Sequence, residues 1–206
     1  MSSVTPDKAD PVPRMRAEDR RELVITAAME VFGERGYVGA TTDAVARAAG
    51  VSQPYVVRMF GTKEALFLAV LDRALHRLLD VFRGAIQAGP AAPGELHQRI
   101  GTAYADLLAD RGLLLSLMHA FVSGADPVIG HAARCGFLDV YRLLRQEAGF
   151  SADEARGFLA EGMLLNTLVG IRMADDYERD ADARELIDIT VPTKSELLVR
   201  LSRTPS

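Results

Sequence analysis

The chain has very little of the chemistry that a thiol-stapled or metal-built protein needs: one cysteine, four histidines and no tryptophan in 206 residues. A single cysteine cannot close an intramolecular disulfide, which excludes the cross-linked scaffolds of small exported domains. H-E-x-x-H, G-x-S-x-G and a glycine-rich phosphate loop are missing too, and no paired carboxylates mark a cleft. A non-enzymatic protein without a cofactor is therefore expected. No apolar run reaches the ~20 residues of a membrane span. The polar N-terminal stretch contains no apolar leader core, so the expected location is cytoplasmic. An excess of positive charge is also lacking, since 24 Lys and Arg face 28 Asp and Glu. Charge alone does not point to nucleic acid.

What the chain does have is apolar side chains at helical intervals, and all of it reads as α-helix. In a first helix over about Ala17–Arg35, Leu23, Ala27 and Val31 form one row and Val24, Ala28 and Phe32 the next; Gly36 and Tyr37 end it. The stretch TTDAVARAAGVSQPYVVRMF, Thr41 to Phe60, then shows two short helices around a tight corner. Val45 and Ala49 lie four apart, Ala46 is small where the helices cross, Gly50 supplies a left-handed turn residue and Val51 plugs the corner. Ser52 is placed to cap the second helix. Val56, Met59 and Phe60 recur at i, i+3 and i+4, which turns Gln53, Pro54, Tyr55, Val57 and Arg58 outward or sideways. This is the pattern of a helix-turn-helix, whose second helix enters the major groove with its N-terminal residues at base edges. Residues 1–66 balance nine basic against nine acidic side chains. The basic ones cluster, with Arg14, Arg16, Arg20 and Arg21 at the entry to the first helix and Arg47, Arg58 and Lys63 around the motif.

From about Arg20 to Leu66 the chain resembles the DNA-binding domain of the tetracycline-repressor-like (TetR) family. The AA-x-x-x-F-x-x-x-G-Y helix end, the TT pair, the AGVSQP turn and the F-x-x-KEAL exit occur in order and at matching spacing. The resemblance implies DNA contacts from Thr42, Ser52, Gln53, Pro54, Tyr55, Val57, Arg58 and Lys63. Where the family usually carries tyrosine at position 57 and histidine at 59, this chain has Val57 and Met59, so Tyr55 or Arg58 must replace a phosphate contact. Asp43 suits a helix N-terminus and repels phosphate, and reads as a cap-region charge. The resemblance further implies a homodimer that binds double-stranded operator DNA as a repressor and is released by a small, largely apolar effector.

The organisation that follows is a disordered arm over 1–16, a helix-turn-helix domain over 17–62 and a helical ligand-binding and dimerisation domain over 63–206. In the last, a strut over about 63–88 is broken by Gly89-Pro90-Ala91-Ala92-Pro93, and a helix with Leu96, Ile100, Tyr104 and Leu107 follows. The segment 113–122 is apolar on almost every side, which predicts a place at the centre of a bundle. Helices over 127–148 and 151–174, an acidic linker over 175–182 and a last helix over 193–201 complete the reading. Phe82, Tyr104, Met118, His119, Phe121 and Asn166 combine apolar walls with polar handles and form the candidate effector pocket. Gly157, Phe158, Gly162, Met163, Leu165 and Val169 form the candidate dimer surface. Two other classes stay open: a metal-responsive regulator using His131 and Cys135, four apart on one helix, and a helical protein-interaction module that does not bind DNA.

Overall fold

A computed structural model of the protein describes residues 16–92, 94–108 and 110–191. The expected arm at the start of the chain and the expected helix over 193–201 lie outside the described residues, apart from exposed Arg16. Among the described residues nine α-helices and one short 3-10 turn follow one another: α1 Ala17–Gly39, α2 Thr42–Ala48, α3 Gln53–Phe60, α4 Lys63–Gln87, α5 Glu95–Leu107, α6 Arg111–Val122, α7 Pro127–Gln146, α8 Ala152–Gly170, the turn Met173–Asp176, and α9 Ala181–Thr190.

The helix starts are written into the sequence as side-chain caps. Thr41, Thr62, Asp110, Asp126 and Asp180 each accept a backbone N–H from the first turn of the helix they precede, and Ser151 forms a reciprocal capping box with Glu154. Ser52 departs from its expected role: it occupies the N-cap of α3 but makes no side-chain cap bond. Its carbonyl instead accepts from Tyr55 N at 3.0 Å and Val56 N at 3.3 Å. Gly36, at φ 68°, breaks α1 where the sequence ends it, and one more turn continues to Gly39. Downstream, the acidic linker proves to be the 3-10 turn and the start of α9, which Asp180 caps.

Helix α1 buries Val24, Ala28 and Phe32 completely, while Leu23, on the neighbouring row, is 41 % exposed. The buried row packs on α2 and α4, with Phe32 against Phe67 at a ring separation of 4.8 Å. The strut α4 is pinned at its middle and near its C-terminal end by ion pairs, Arg73 to Glu22 of α1 at 2.8 Å and Arg83 to Glu147 beyond α7 at 3.0 Å. Arg77 of α4 also pairs with Asp110, the cap of α6.

Helix α6 packs on α4, α7 and α8, and most extensively along α1. A side-chain carbon on Gly33 would stand 3.0 Å from Gly112 Cα, and one on Gly112 would stand 3.2 Å from the Met29 carbonyl oxygen. Backbone therefore meets backbone. Further along the same α6 row, fully buried Ser116 donates to the Met29 carbonyl at 3.2 Å and His119 Nε2 lies 3.3 Å from the Gly33 carbonyl oxygen. Spacings of four and seven residues keep Gly112, Ser116 and His119 on one face. Hydropathy alone shows that α6 is largely covered, but not which helix covers it.

This crossing predicts a contrast between two glycines. Gly33→Val places branched carbons where only backbone fits, and should lower unfolding free energy by about 1–3 kcal/mol. Gly84→Ala, on an open face of α4 with no atom within 4 Å of the added carbon, should be neutral or stabilising by up to about 1 kcal/mol. Urea unfolding of the two variants checks both signs.

Candidate nucleic-acid interface and effector cavity

The reader is built from α2, a glycine turn and α3. Gly50 takes φ 65°, the left-handed conformation that the corner needs. Val51 N donates to the Ala46 carbonyl at 3.0 Å, closing the turn over a residue only 2 % exposed. On α3, Val56 is fully buried, and Met59 and Phe60 are half-buried beside it. Arg21 of α1 lies 5.2 Å from the Phe60 ring centroid and holds the far end of α3 against the first helix. No periodicity in the sequence signals that contact.

With this stripe anchored, Ser52, Gln53, Pro54, Val57 and Arg58 are exposed and Tyr55 is half-buried. The amide nitrogen of Gln53 donates to Thr42 Oγ1 at 3.3 Å, tying the first residue of α3 to the first of α2. The Arg58 guanidinium sits 5.2 Å from the Tyr55 ring centroid, so these two side chains form one stacked unit. Asp43 pairs with Arg47 four residues on, which occupies both charges within α2.

Lys63 is placed differently from a free phosphate contact. Its ammonium donates to the carbonyls of Tyr37 at 2.9 Å, Ala40 at 3.3 Å and Val38 at 3.4 Å, and stands 4.6 Å from the Tyr37 ring centroid. It caps the C-terminal end of α1, where cations suit the unpaired carbonyls. Its reach comes from the fold: 26 residues separate it from Tyr37.

A cavity of about 460 Å³ opens between α4, α6, α7 and α8, with Tyr104 contributed by α5. Phe82, Tyr104, Phe121 and Asn166 line it, as four of the six expected pocket residues. Met118 and His119 do not: His119 faces Gly33 and Gly36 on α1, because α6 turns that side toward the reader. Leu117, Ala120 and Phe121 form the cavity side of the same helix. Deep in the wall, Tyr104 and Asn166 are 8 % and 6 % exposed, and the tyrosine hydroxyl donates to Asn166 Oδ1. Burial pushes the Tyr104 hydroxyl up to about 12 against the opposing pull of that bond, so it remains a protonated donor at neutral pH.

The expected dimer surface is corrected by the same packing. Phe158 and Leu165 are 5 % exposed and Val169 9 % exposed within this single chain, so they leave little surface for a partner. Gly162 turns toward Tyr104 Cε1, which an added side-chain carbon would meet at 3.5 Å, and Met163 lines the cavity. Gly157 alone of the six has open space beside it. The apolar stripe of α8 covers the chain's own cavity, while Leu164, and Leu138 on α7, are 41 % and 46 % exposed.

His131 Nε2 and Cys135 Sγ lie 3.6 Å apart on exposed positions of α7. Among the described residues no group of three or more His, Cys, Asp or Glu side chains is placed to hold a metal ion. Among them, too, no single helix is long and apolar enough to cross a membrane.

Comparison with known proteins places this geometry. The sequence profile of the bacterial regulatory proteins of the tetR family matches residues 24–70, the span from α1 into α4. The chain is 27 % identical over 184 residues to the HTH-type transcriptional activator FasR of Mycolicibacterium smegmatis, covering 86 % of this chain and 82 % of FasR. It is 37 % identical over 76 residues to the HTH-type transcriptional regulator BetI of Rhizobium meliloti, which covers 37 % of each protein. In fold it is similar to a TetR-like transcriptional regulator from a Rhodococcus species, with a TM-score of 0.60 at 21 % identity over 92 % of this chain and 96 % of the other. With the helix-turn-helix, the all-α bundle and the matched profile in agreement, residues 24–70 carry the DNA-binding domain of the tetR family of bacterial regulatory proteins, and the chain as a whole is similar to TetR-like helix-turn-helix transcriptional regulators.

Proposed function

We propose that the protein is a homodimeric repressor that reads operator DNA through α3 and is released by a small, largely apolar effector held in the cavity. In this reading residues 17–62 form the reader and the chain from Lys63 onward forms the effector and dimer unit. The observation that carries it is the double role of α6. One face of this helix, Leu117, Ala120 and Phe121, is cavity wall, and the opposite face, Gly112, Ser116 and His119, rests on the backbone of α1. An effector that displaces α6 must move α1 or break this contact. Helix α4 offers a parallel route, because it lines the cavity with Leu71, Leu75 and Phe82 and begins at the Lys63 cap on α1. The two readers of a dimer must stand roughly 34–36 Å apart, or a multiple of that, to enter major grooves on one face of the duplex. The effector lowers affinity because it favours the arrangement in which that spacing is lost. Twofold pairing uses the outward side of α7 and α8, with Leu138 and Leu164 at its centre. The relative FasR is named as an activator, so a promoter fusion tests the sign: deletion of this regulator should raise transcription from its operator, whereas a fall would make it an activator.

Side chains of the reader should fail in different ways. Gln53→Ala should cost roughly 1–3 kcal/mol on the operator and relax base preference at one position. Arg58→Ala should weaken binding to all sequences and reduce the salt slope by about one. Lys63→Ala should lower folding stability by about 1 kcal/mol, since three carbonyls lose their cation. Operator titration over a salt series, set beside urea unfolding, separates the three effects, and a Lys63 variant of unchanged stability would return that residue to the phosphate group.

Assembly gives a second check. Leu138→Arg combined with Leu164→Arg should yield folded monomers that bind operator poorly, because the charges would meet a desolvated seam. Light scattering that still reports a dimer would move the interface elsewhere.

A further inference from the structure

The cavity has an uneven chemistry that narrows what can occupy it. Among its described lining residues there is no Lys, Arg or His, whereas Asp72 and Asp139 both contribute to it. Asp72 stands on an exposed turn of α4, and Asp139 on α7 is held by Arg142 at 2.6 Å. An anionic head group entering the cavity would meet carboxylates near its opening and no cation along its walls. Stripping water from an unpaired carboxylate costs far more than burying a short apolar tail returns.

Polar capacity in the depth of the wall is concentrated at one place. The Tyr104 hydroxyl donates its one hydrogen bond to Asn166 Oδ1. The Asn166 amide nitrogen is left with Met163 Sδ at 3.8 Å, and a thioether is a weak acceptor. A buried amide with two N–H donors and no oxygen to receive them is an open position for a ligand acceptor. Around it the surface is aromatic and aliphatic, with Phe82 and Phe158 edge to face at 5.7 Å.

We infer that the ligand of this cavity is an uncharged apolar molecule whose single carbonyl or hydroxyl oxygen docks on the Asn166 amide beside Tyr104, and that anionic amphiphiles are rejected. The inference rests on the reading of the cavity as the effector site.

Three twelve-carbon probes test it on the full chain by calorimetry at neutral pH: decyl methyl ketone, dodecanoate and dodecylamine, each below its micellar concentration. The ketone should bind tightest and dodecanoate roughly tenfold or more weaker. Asn166→Leu should lower ketone affinity roughly fivefold. The isosteric Asn166→Asp, which removes the N–H donors and keeps the shape, should do the same if the leucine variant fails to fold. Dodecanoate or dodecylamine binding as tightly as the ketone would overturn the inference, as would unchanged ketone affinity in a folded Asn166 variant or no ketone binding at all. Operator affinity, followed separately by fluorescence anisotropy, isolates the other reading: ketone binding that depends on Asn166 but leaves DNA binding unaltered supports the ligand chemistry and defeats the effector role.

Discussion

The rest of the molecule depends on the approach of α1 and α6 through Gly33 and Gly112. These positions have no side chains, so two helix backbones touch, and the neighbouring hydrogen bonds from Ser116 and His119 to carbonyls of α1 become geometrically possible. Close-packed backbone tolerates little sliding. The reader is therefore joined to the bundle along a helix face as well as through the covalent link into α4, and the cavity forms on the other side of the same helix.

Around this contact the structure divides its ionic interactions by purpose. Arg73, Arg77 and Arg83 on α4 reach α1, the cap of α6 and the end of α7, fixing the strut between three partners. Each pair is exposed and individually worth little, so their contribution is to orientation more than to stability. Lys63 adds a further tie at the root of the strut, where it gathers the last carbonyls of α1. By contrast the exposed side of α3 keeps its one arginine stacked on a neighbouring tyrosine, with no carboxylate paired to it among the described residues.

The local patterns were legible in the sequence because they are made by neighbours in the chain. Apolar spacing on α3, the left-handed Gly50 and the glycine that breaks α1 all act within a few positions, and each sits where its chemistry requires. Four cavity residues could also be found, since Phe82, Tyr104, Phe121 and Asn166 combine bulk or polarity with an inward helical phase. The placements that the sequence does not show share a different cause. Lys63 caps a helix end formed 26 residues earlier, His119 turns to α1 across 86 residues, and Phe158 fills its own chain's core. Such pairings depend on which helix faces which. An apolar stripe reports that it is covered and is silent about whether the cover is the same chain or another copy, which is why the α8 glycines suggest a seam that the packing does not bear out. Gly33 and Gly112 lay in plain view, but only the crossing gives them a reason.

The two-sided character of α6 has a consequence for anyone wishing to retune this protein as a biosensor. Libraries aimed at new ligands usually diversify every wall of a pocket. Here, changes at Leu117 or Phe121 share a helix with the contacts on α1, so an altered cavity wall and an altered α1 contact would arrive together and confound selection. Positions on α7 and α8, such as Val140, Leu159 and Met163, line the same space without belonging to that shared helix. They are the place to reshape the cavity while the contact between α6 and α1 stays as nature set it.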